Sequence, residues 1–317
     1  MTINDFLMLD WAGAEGPLIE PPPFSPVIAD PSFLFPEETP SGDWELFAHS
    51  AWGVHRFSSP DGLTWRRRRV VAANAMRPFI RAVGGGFLLY FERYRPLALP
   101  MTALPGRRRW SSSVAVSASA DLASWSTPRT LLEPSLGWMR DDRLGESVSN
   151  PCVARDGDEW RLYFSASLAW IDDCGFCEPR NIGLAVGPSP TGPFEPEGSP
   201  VIEPAAGDLA AGSIKVVKTD DGWIGLQNRL YADADGRSRS AIFALRSEDG
   251  RSWRPAMDAP LLAPKPGWAS SHVYACDCRF READGLWYLY FNARDGWRIR
   301  DGRERIGRIV GKPREAK

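Results

Sequence analysis

The chain contains 317 residues with a formal net charge of −2, so it lacks the overall basic surface expected of a nucleic-acid-binding protein. No apolar run approaches the roughly 20 residues needed to cross a bilayer, so neither a nucleic-acid nor a membrane partner is expected. The N-terminus has no basic region followed by an apolar stretch, and the five cysteines are an odd number. These features favour a cytoplasmic protein with free thiols over a secreted one with disulfides.

Glycine, proline and tryptophan are unusually frequent, with 29, 28 and 14 copies. Many turns combined with many aromatic residues are typical of short strands, so the composition predicts an all-β fold. Two arginine runs, Arg66–Arg69 and Arg107–Arg109, are interpreted as solvated surface because the overall charge is nearly balanced.

A turn followed by an aromatic-rich strand occurs five times. Each copy opens on a glycine-containing turn such as Asp-Gly or Gly-Gly, and such dipeptides before an apolar run are strong hairpin signals. The copies cover residues 41–47, 84–91, 156–164, 220–226 and 284–291.

A second unit follows each of these copies and consists of a β-branched strand ending in a tight turn and an aromatic residue. The aromatic ends Trp65, Trp125, Phe194 and Trp253 are separated by 60, 69 and 59 residues. This period, built of short strands, predicts a five-bladed β-propeller forming one domain over residues 1–317. Because the fifth copy ends the chain, the segment from Phe6 to Ile19 is expected to supply its outer strand. The repeated tryptophans are predicted to pack between blades.

A candidate innermost strand precedes each hairpin. Three of the five contain a polar residue before proline, in Asp30-Pro31, Arg77-Pro78 and Asn150-Pro151. Lys215 and His272 lie on the other two. Because proline interrupts the hydrogen-bonding ladder, the start of each strand is predicted to line the central opening.

These features resemble the five-bladed propeller glycoside hydrolases, the superfamily of families 43, 62, 32 and 68. The resemblance rests on the Asp-Pro strand, the repeated hairpins and the Ser-x-Asp-Gly/Leu-x-x-Trp turns, and covers nearly the whole chain. It implies a carbohydrate substrate and three acids on the first three inner strands. Asp30 matches the acid that acts as base or nucleophile.

The chain departs from this family pattern at the other two acids. Arg77 stands where a second Asp-Pro aspartate would lie, and Ser149 has the spacing expected for the glutamate that donates a proton. Glu146, three residues before Ser149, and Glu178, in the long loop of the third repeat, are the alternative proton donors. Ser149 and Asn150 are then expected to bind substrate.

Arg77 has two interpretations. It either pairs structurally with Asp30 and holds that carboxylate ionised, or joins Lys215 in binding an anionic group on the sugar. The leading hypothesis is a glycosidase acting on a small, neutral or anionic, sugar conjugate. The alternatives are a carbohydrate-binding propeller without activity and a phosphorylase or transferase in which Arg77 and Lys215 hold the anion.

Further candidates lie on the predicted loops and on the fifth inner strand. Trp52, Trp170 and Trp268 are candidates for stacking on sugar rings. No organic cofactor is implied. His272 is a candidate for helping to hold a structural calcium ion near the axis, or else a hydrogen-bonded structural residue. The cysteine pairs Cys174/Cys177 and Cys276/Cys278 are interpreted as thiols rather than zinc ligands because their spacing matches no zinc module.

Overall fold

The computed structural model describes residues 1–13, 15–95 and 109–314. Over these residues the chain forms one short α-helix, α1 (Ile3–Leu7), two single-turn 3₁₀ helices (Pro36–Glu38 and Gly137–Met139), and otherwise strands and turns. None of the described residues forms a helix long and apolar enough to span a membrane. The predicted all-β fold is confirmed. Arg66–Arg69 lie exposed on an outer strand, whereas Arg107 and Arg108 fall outside the described residues.

The strands in chain order are β1 (Asp10–Gly13), β2 (Ala29–Leu34), β3 (Trp44–Ser50), β4 (Gly53–Ser59), β5 (Arg66–Ala72), β6 (Ala75–Val83), β7 (Gly86–Tyr94), β8 (Trp110–Ser119), β9 (Arg129–Leu132), β10 (Arg140–Asp141), β11 (Gly145–Glu146), β12 (Val148–Asp156), β13 (Glu159–Ile171), β14 (Phe176–Gly187), β15 (Glu195–Pro196), β16 (Asp208–Thr219), β17 (Gly222–Ala232), β18 (Ser238–Ser247), β19 (Arg254–Pro255), β20 (His272–Arg281), β21 (Leu286–Arg294) and β22 (Glu304–Lys312).

Apart from β1 and the short hairpin β10–β11, whose strand β11 pairs in parallel with β8, the strands of the described residues fall into five antiparallel groups, each running outward from its first strand. The groups are β2–β5, β6–β9, β12–β15, β16–β19 and β20–β22. This grouping follows the repeat in the sequence, because each glycine turn closes the first hairpin of its group. The number of blades stays a prediction drawn from that repeat.

The N-terminus completes the fifth group. Strand β1 pairs antiparallel with β22, and its register runs from Asp10 opposite Lys312 to Gly13 opposite Ile309. The expected contribution of the N-terminal segment is therefore confirmed. The pairing covers the free edge of β22 and draws the two ends of the chain together.

The repeated tryptophans pack between groups, as the sequence predicts. Trp65 lies edge-on to Tyr290 at 5.7 Å, which joins the first group to the fifth. Trp253 contacts Tyr163 at 6.1 Å, and Trp125 contacts Phe47 at 5.9 Å. Each of these three turns thus packs its tryptophan ring on the second strand of the preceding group. Such buried ring pairs add about 0.5–1.5 kcal/mol each beyond the area they bury.

Candidate active site

Three inner strands share a strained kink at the predicted position. The residues before proline, Asp30, Arg77 and Asn150, have φ angles of 53°, 54° and 49°, in the left-handed region. Each lies in a bulge where the antiparallel register of its group shifts. Asp and Asn tolerate this conformation better than Arg, and a strained residue costs about 1–3 kcal/mol. Strain of this kind, repeated at one level of the fold, points to a functional site.

The three kinked residues line one cavity of about 320 Å³. Asn150, rather than Ser149, is the counterpart of Asp30 and Arg77. Ser149 is fully buried, and its hydroxyl lies 3.5 Å from the carbonyl of Ser165. Counting residues back from the turn predicts a position one residue too early, because the distance between turn and strand does not show where the bulge lies.

Asp30 is held by groups on two neighbouring strands. Its backbone N–H donates to Asn292 Oδ1 at 3.0 Å, and its Oδ2 lies 3.3 Å from His49 Nδ1. The geometry is that of an ion pair, but burial and the nearby Arg77 lower the pKa of His49 to about 3. We therefore treat His49 as neutral, with its Nδ1 accepting the backbone N–H of Arg77 at 3.3 Å, so the approach to Asp30 is a close polar contact and not an ion pair. Neither His49 nor Asn292 has a sequence signal that identifies it.

Burial dominates the ionisation of Asp30. It raises the pKa of this carboxyl group above its ordinary value, while Arg77 and Lys215 act in the opposite direction. The prediction from the sequence that an arginine holds Asp30 ionised takes into account the effect of the cation but not the effect of burial. The net direction is upward because the carboxyl group is withdrawn from water.

Arg77 is paired with a carboxylate that the sequence analysis did not identify. Its Nη1 donates to Glu92 Oε2 at 2.5 Å, and this is its ion pair among the described residues. Glu92 is fully buried and also lies 3.3 Å from the indole nitrogen of Trp110. Arg77 still faces the cavity, with its charge largely balanced by Glu92.

Glu178, on β14, is a second carboxyl group in the same cavity. Burial raises its pKa to about 7, with Arg77 opposing and Asp30 adding to the shift. Among the described residues, none donates a hydrogen bond to this carboxyl group. A nearly buried carboxyl group that keeps its proton near neutral pH suits a general acid.

Glu304, at the start of β22, is a third carboxyl group of the cavity and is absent from the sequence candidates. Burial raises its pKa to about 8 against the effect of Arg294. Asn292 donates its side-chain N–H to Glu304 and accepts the backbone N–H of Asp30, so one amide connects the two carboxyl-bearing residues. At neutral pH Glu304 is mostly a neutral hydrogen-bond donor.

Glu146 lies outside this cavity. It sits on the short strand β11, where its Oε2 pairs with Arg140 at 3.2 Å on the surface. It lines a separate depression together with Glu133 and Arg93. Of the two alternative proton donors, the geometry therefore favours Glu178.

Lys215 is buried beneath the cavity instead of lining it. Its ammonium donates to the carbonyl of Pro151 at 2.7 Å and lies 4.9 Å from the centre of the Phe79 ring. These contacts secure the kink of the third inner strand. The charge of Lys215 reaches Asp30 as an electrostatic effect, which lowers the pKa of that group against the larger effect of burial.

In three strand groups, a polar side chain on the second strand contacts the backbone of the inner strand of the next group, near its bulge. His49 Nδ1 lies 3.3 Å from the backbone nitrogen of Arg77, and Ser165 donates to Gly212 O at 2.7 Å. Asn228 donates to Val273 O at 3.0 Å. The cavity is thus built from contacts between groups, which a search of single strands does not detect.

The three candidate tryptophans have different positions. Trp52 is 52% exposed at the tip of the β3–β4 hairpin, beside the cavity-lining Ala51. Trp170 lies on β13 opposite Cys177 and is half-buried. Trp268 stacks on Phe291 at 5.6 Å in the core of the fifth group, a packing role.

His272 has protein partners on both ring nitrogens. Its Nε2 lies 3.3 Å from Ser238 Oγ and 3.8 Å from Cys174 Sγ, and its Nδ1 lies 3.0 Å from Ser271 Oγ. The ring is fully buried, and burial lowers its pKa to about 3. These contacts do not fit a ligand for calcium. Nowhere in the described residues do three His, Cys, Asp or Glu side chains come together as a metal site.

No protein-family model matches the sequence, and no curated protein matches it.

Solved structures share the fold over nearly the whole chain. A GH62 hydrolase in complex with xylotriose is 12% identical, covers 95% of this chain and 96% of its own, and has a TM-score of 0.64. A family 117 glycoside hydrolase from the marine bacterium Zobellia galactanivorans is 16% identical, with coverages of 96% and 91% and a TM-score of 0.60.

An N-acetylgalactosamine deacetylase from F. plautii, in complex with blood group B trisaccharide, also matches. It is 13% identical, with coverages of 96% and 95% and a TM-score of 0.64. The fold therefore occurs with more than one chemistry, and activity has to be argued from the site. In architecture, the chain is a propeller of the type found in glycoside hydrolases.

Proposed function

We propose that the protein is a glycoside hydrolase-like enzyme acting on a small sugar or glycoconjugate. The observation that carries the proposal is one cavity lined by Asp30 and Glu178, the second of which has a pKa raised to about 7. Glycoside hydrolysis requires a proton donor and a base or nucleophile on either side of the bond that breaks.

The roles of the two carboxyl groups follow from their surroundings. Arg77 and Lys215 oppose the effect of burial on the pKa of Asp30, and the charge of Asp30 is one of the causes that raise the pKa of Glu178, so we assign the ionised role to Asp30. The charge of Asp30 then helps Glu178 to keep its proton. Asp30 is accordingly the base or nucleophile, and Glu178 protonates the departing oxygen.

Substrate size follows from the cavity. Its volume of about 320 Å³ is at the lower end of the range for small-molecule sites, about 300–1,000 Å³. A terminal sugar unit is the proposed occupant. Asn150, Arg77 and Glu304 supply donors for its hydroxyl groups, and the exposed Trp52 supplies an aromatic face near the entrance.

The phosphorylase alternative has less support, because Arg77 is balanced by Glu92 and Lys215 is bonded to Pro151 O. A panel of phenyl glycosides, assayed with and without phosphate, tests the proposal. We expect hydrolysis of at least one glycoside without phosphate and its loss in Asp30→Asn and Glu178→Gln. Sugar binding without turnover by the wild type would favour the non-catalytic alternative.

A further inference from the structure

A second depression adjoins the cavity on its outer side. Ser25, Pro26 and Ile299 line both spaces, so they meet along this edge. We call the outer space, bounded by these three residues, Phe24, Asp172 and three arginines, the mouth groove. Its volume is about 780 Å³. A substrate whose terminal unit fills the cavity would extend its remaining part into this groove.

The mouth groove is rich in arginine. Arg298, Arg300 and Arg303 line it, against the single carboxylate Asp172. Arg300 pairs with Asp301 at 3.2 Å, whereas the side chains of Arg298 and Arg303 have no ion pair among the described residues. The guanidinium groups of the cavity itself, by contrast, already have protein partners: Arg77 pairs with Glu92, and Arg294 donates to the carbonyl groups of Gly296 and Arg298.

The loop that carries these arginines is tied to the cavity wall. The buried Arg294, which lines the cavity, donates to the carbonyl of Arg298. Asp295 accepts the backbone N–H of Arg303 at 2.7 Å and pairs with Arg305 at 2.7 Å. These bonds give the arginines a defined position relative to the cavity.

An exposed aromatic ring faces the same groove. Phe24 is 95% exposed and has a φ of 62°, a conformation that a bulky side chain rarely adopts. The chain beside it is anchored, because the indole N–H of Trp52 donates to Pro23 O at 3.2 Å. A strained backbone that holds a large apolar ring in water points to a ligand that covers the ring.

We propose that the mouth groove binds an anionic group, a carboxylate or a sulfate, on the part of the substrate that leaves the enzyme. Arg298 and Arg303 would pair with the anion, and Phe24 would pack against the ring or chain that carries it. This inference rests on the proposed glycosidase function. It assigns the substrate charge to the groove instead of to Arg77 and Lys215.

Matched aryl glycosides test this proposal. For each sugar in the panel, the phenyl glycoside is compared with the 4-carboxyphenyl and 4-sulfophenyl glycosides. Calorimetry measures Kd and product release measures kcat/KM, each at 50 mM and 500 mM NaCl. The double variant Arg298→Gln/Arg303→Gln removes the two unpaired charges. The control Arg66→Gln/Arg69→Gln removes two exposed charges on the remote strand β5.

We expect the wild type to prefer the anionic glycosides, and the double variant to lose about fivefold of that preference, within the range for exposed ion pairs. The control keeps both the preference and the wild-type kcat/KM for the phenyl glycoside, and high salt weakens the preference of the wild type. A larger effect on one of the two anions would identify the group.

The outcomes separate the two proposals. Turnover that depends on Asp30 without any preference for anionic glycosides overturns the inference and leaves the proposed function intact. An arginine-dependent preference in binding, without turnover, supports the groove and overturns the glycosidase. A preference lost equally in the control variant, or no binding of any glycoside, overturns the groove.

Discussion

The cavity and the layer of charges beneath it use the same residue types in opposite ways. In the lower layer, Asp277 on β20 is fully buried and accepts hydrogen bonds from Ser32 at 2.7 Å and from both terminal nitrogens of Arg81 at 2.8 and 2.9 Å. Burial would raise the pKa of Asp277, but Arg81 lowers it to about 2. In the cavity, Glu178 is 9% exposed, nearly as withdrawn from water as Asp277, and its pKa stays raised.

Hydrogen-bond donors distinguish a structural carboxylate from a reactive carboxyl group in this propeller. A fully buried carboxylate whose two oxygens already accept hydrogen bonds from the protein is not open to a substrate, and its bonds join three strand groups. A buried carboxyl group without donors is costly to the fold unless it keeps its proton. Such a group is available to transfer that proton, which is why we assign catalysis to the cavity.

The largest expected effect comes from replacing Asp30 in the cavity. Asp30→Asn keeps the shape and the backbone bond to Asn292 but removes the base or nucleophile. We expect kcat to fall by about 10²–10⁴-fold, while the melting temperature changes by only a few degrees. Steady-state assays and thermal unfolding measure the two. A variant that retains wild-type kcat would remove Asp30 from the mechanism.

Replacing Asp277 tests how much the buried ion pair beneath the cavity contributes to stability. Asp277→Ala leaves Arg81 without its partner, so we expect the free energy of unfolding to fall by about 3–5 kcal/mol, measured by chemical denaturation. The double variant Asp277→Leu/Arg81→Leu should recover part of that loss. Glu178→Gln is the matched control, a buried carboxyl group whose loss should cost far less. Equal losses in Asp277→Ala and Glu178→Gln would refute the distinction between the layers.

The pH dependence of turnover sharpens the role of Glu178. The general acid works only when protonated, so kcat should fall as pH rises through about 7, by about tenfold per unit well above that value. A pH profile of kcat measures this limb. Glu178→Gln should be slow at every pH and should lack the limb. If the limb persists in Glu178→Gln, another group supplies the proton.

Glu304 offers the smallest and most specific effect. The pKa of Glu304 is raised to about 8 in the folded protein, so below that pH its carboxyl group is mostly neutral. The glutamine of Glu304→Gln closely mimics this neutral carboxyl group. At pH 6 we expect kcat to change by less than about fivefold, roughly one hydrogen bond. Glu304 keeps its proton to a higher pH in the folded chain than in the unfolded chain. The free energy of unfolding of the wild type should therefore decrease as the pH rises from about 4.5 to 8.

Glutamine does not titrate, so Glu304→Gln does not lose stability in this way. Its free energy of unfolding relative to that of the wild type should therefore increase between about pH 4.5 and 8. Thermal unfolding of both proteins from pH 4.5 to 8 gives the difference. A difference that stays constant with pH would mean that Glu304 is ionised throughout.

The repeated turns and the Asp30-Pro31 strand could be read from the sequence because each depends on neighbouring residues. A glycine turn before an apolar run specifies a hairpin, and a proline specifies a break in the ladder. The order of the groups and the closure by the N-terminal segment follow from the repeat. Glu178 could be proposed only as one of two donors, because its position in the same cavity as Asp30 depends on how separate strand groups pack together.

The features that could be predicted from the sequence are therefore local: five turn-and-strand units, their packing tryptophans, and a polar residue before proline at three kinks. Which charges are balanced depends on the folded arrangement. Arg77 meets Glu92, Lys215 meets Pro151 O, and Glu178 and Glu304 enter the cavity from strands distant in sequence. The reason is physical: the ionisation of a group depends on its burial and on its neighbours in space, and those are set by contacts between separate strand groups.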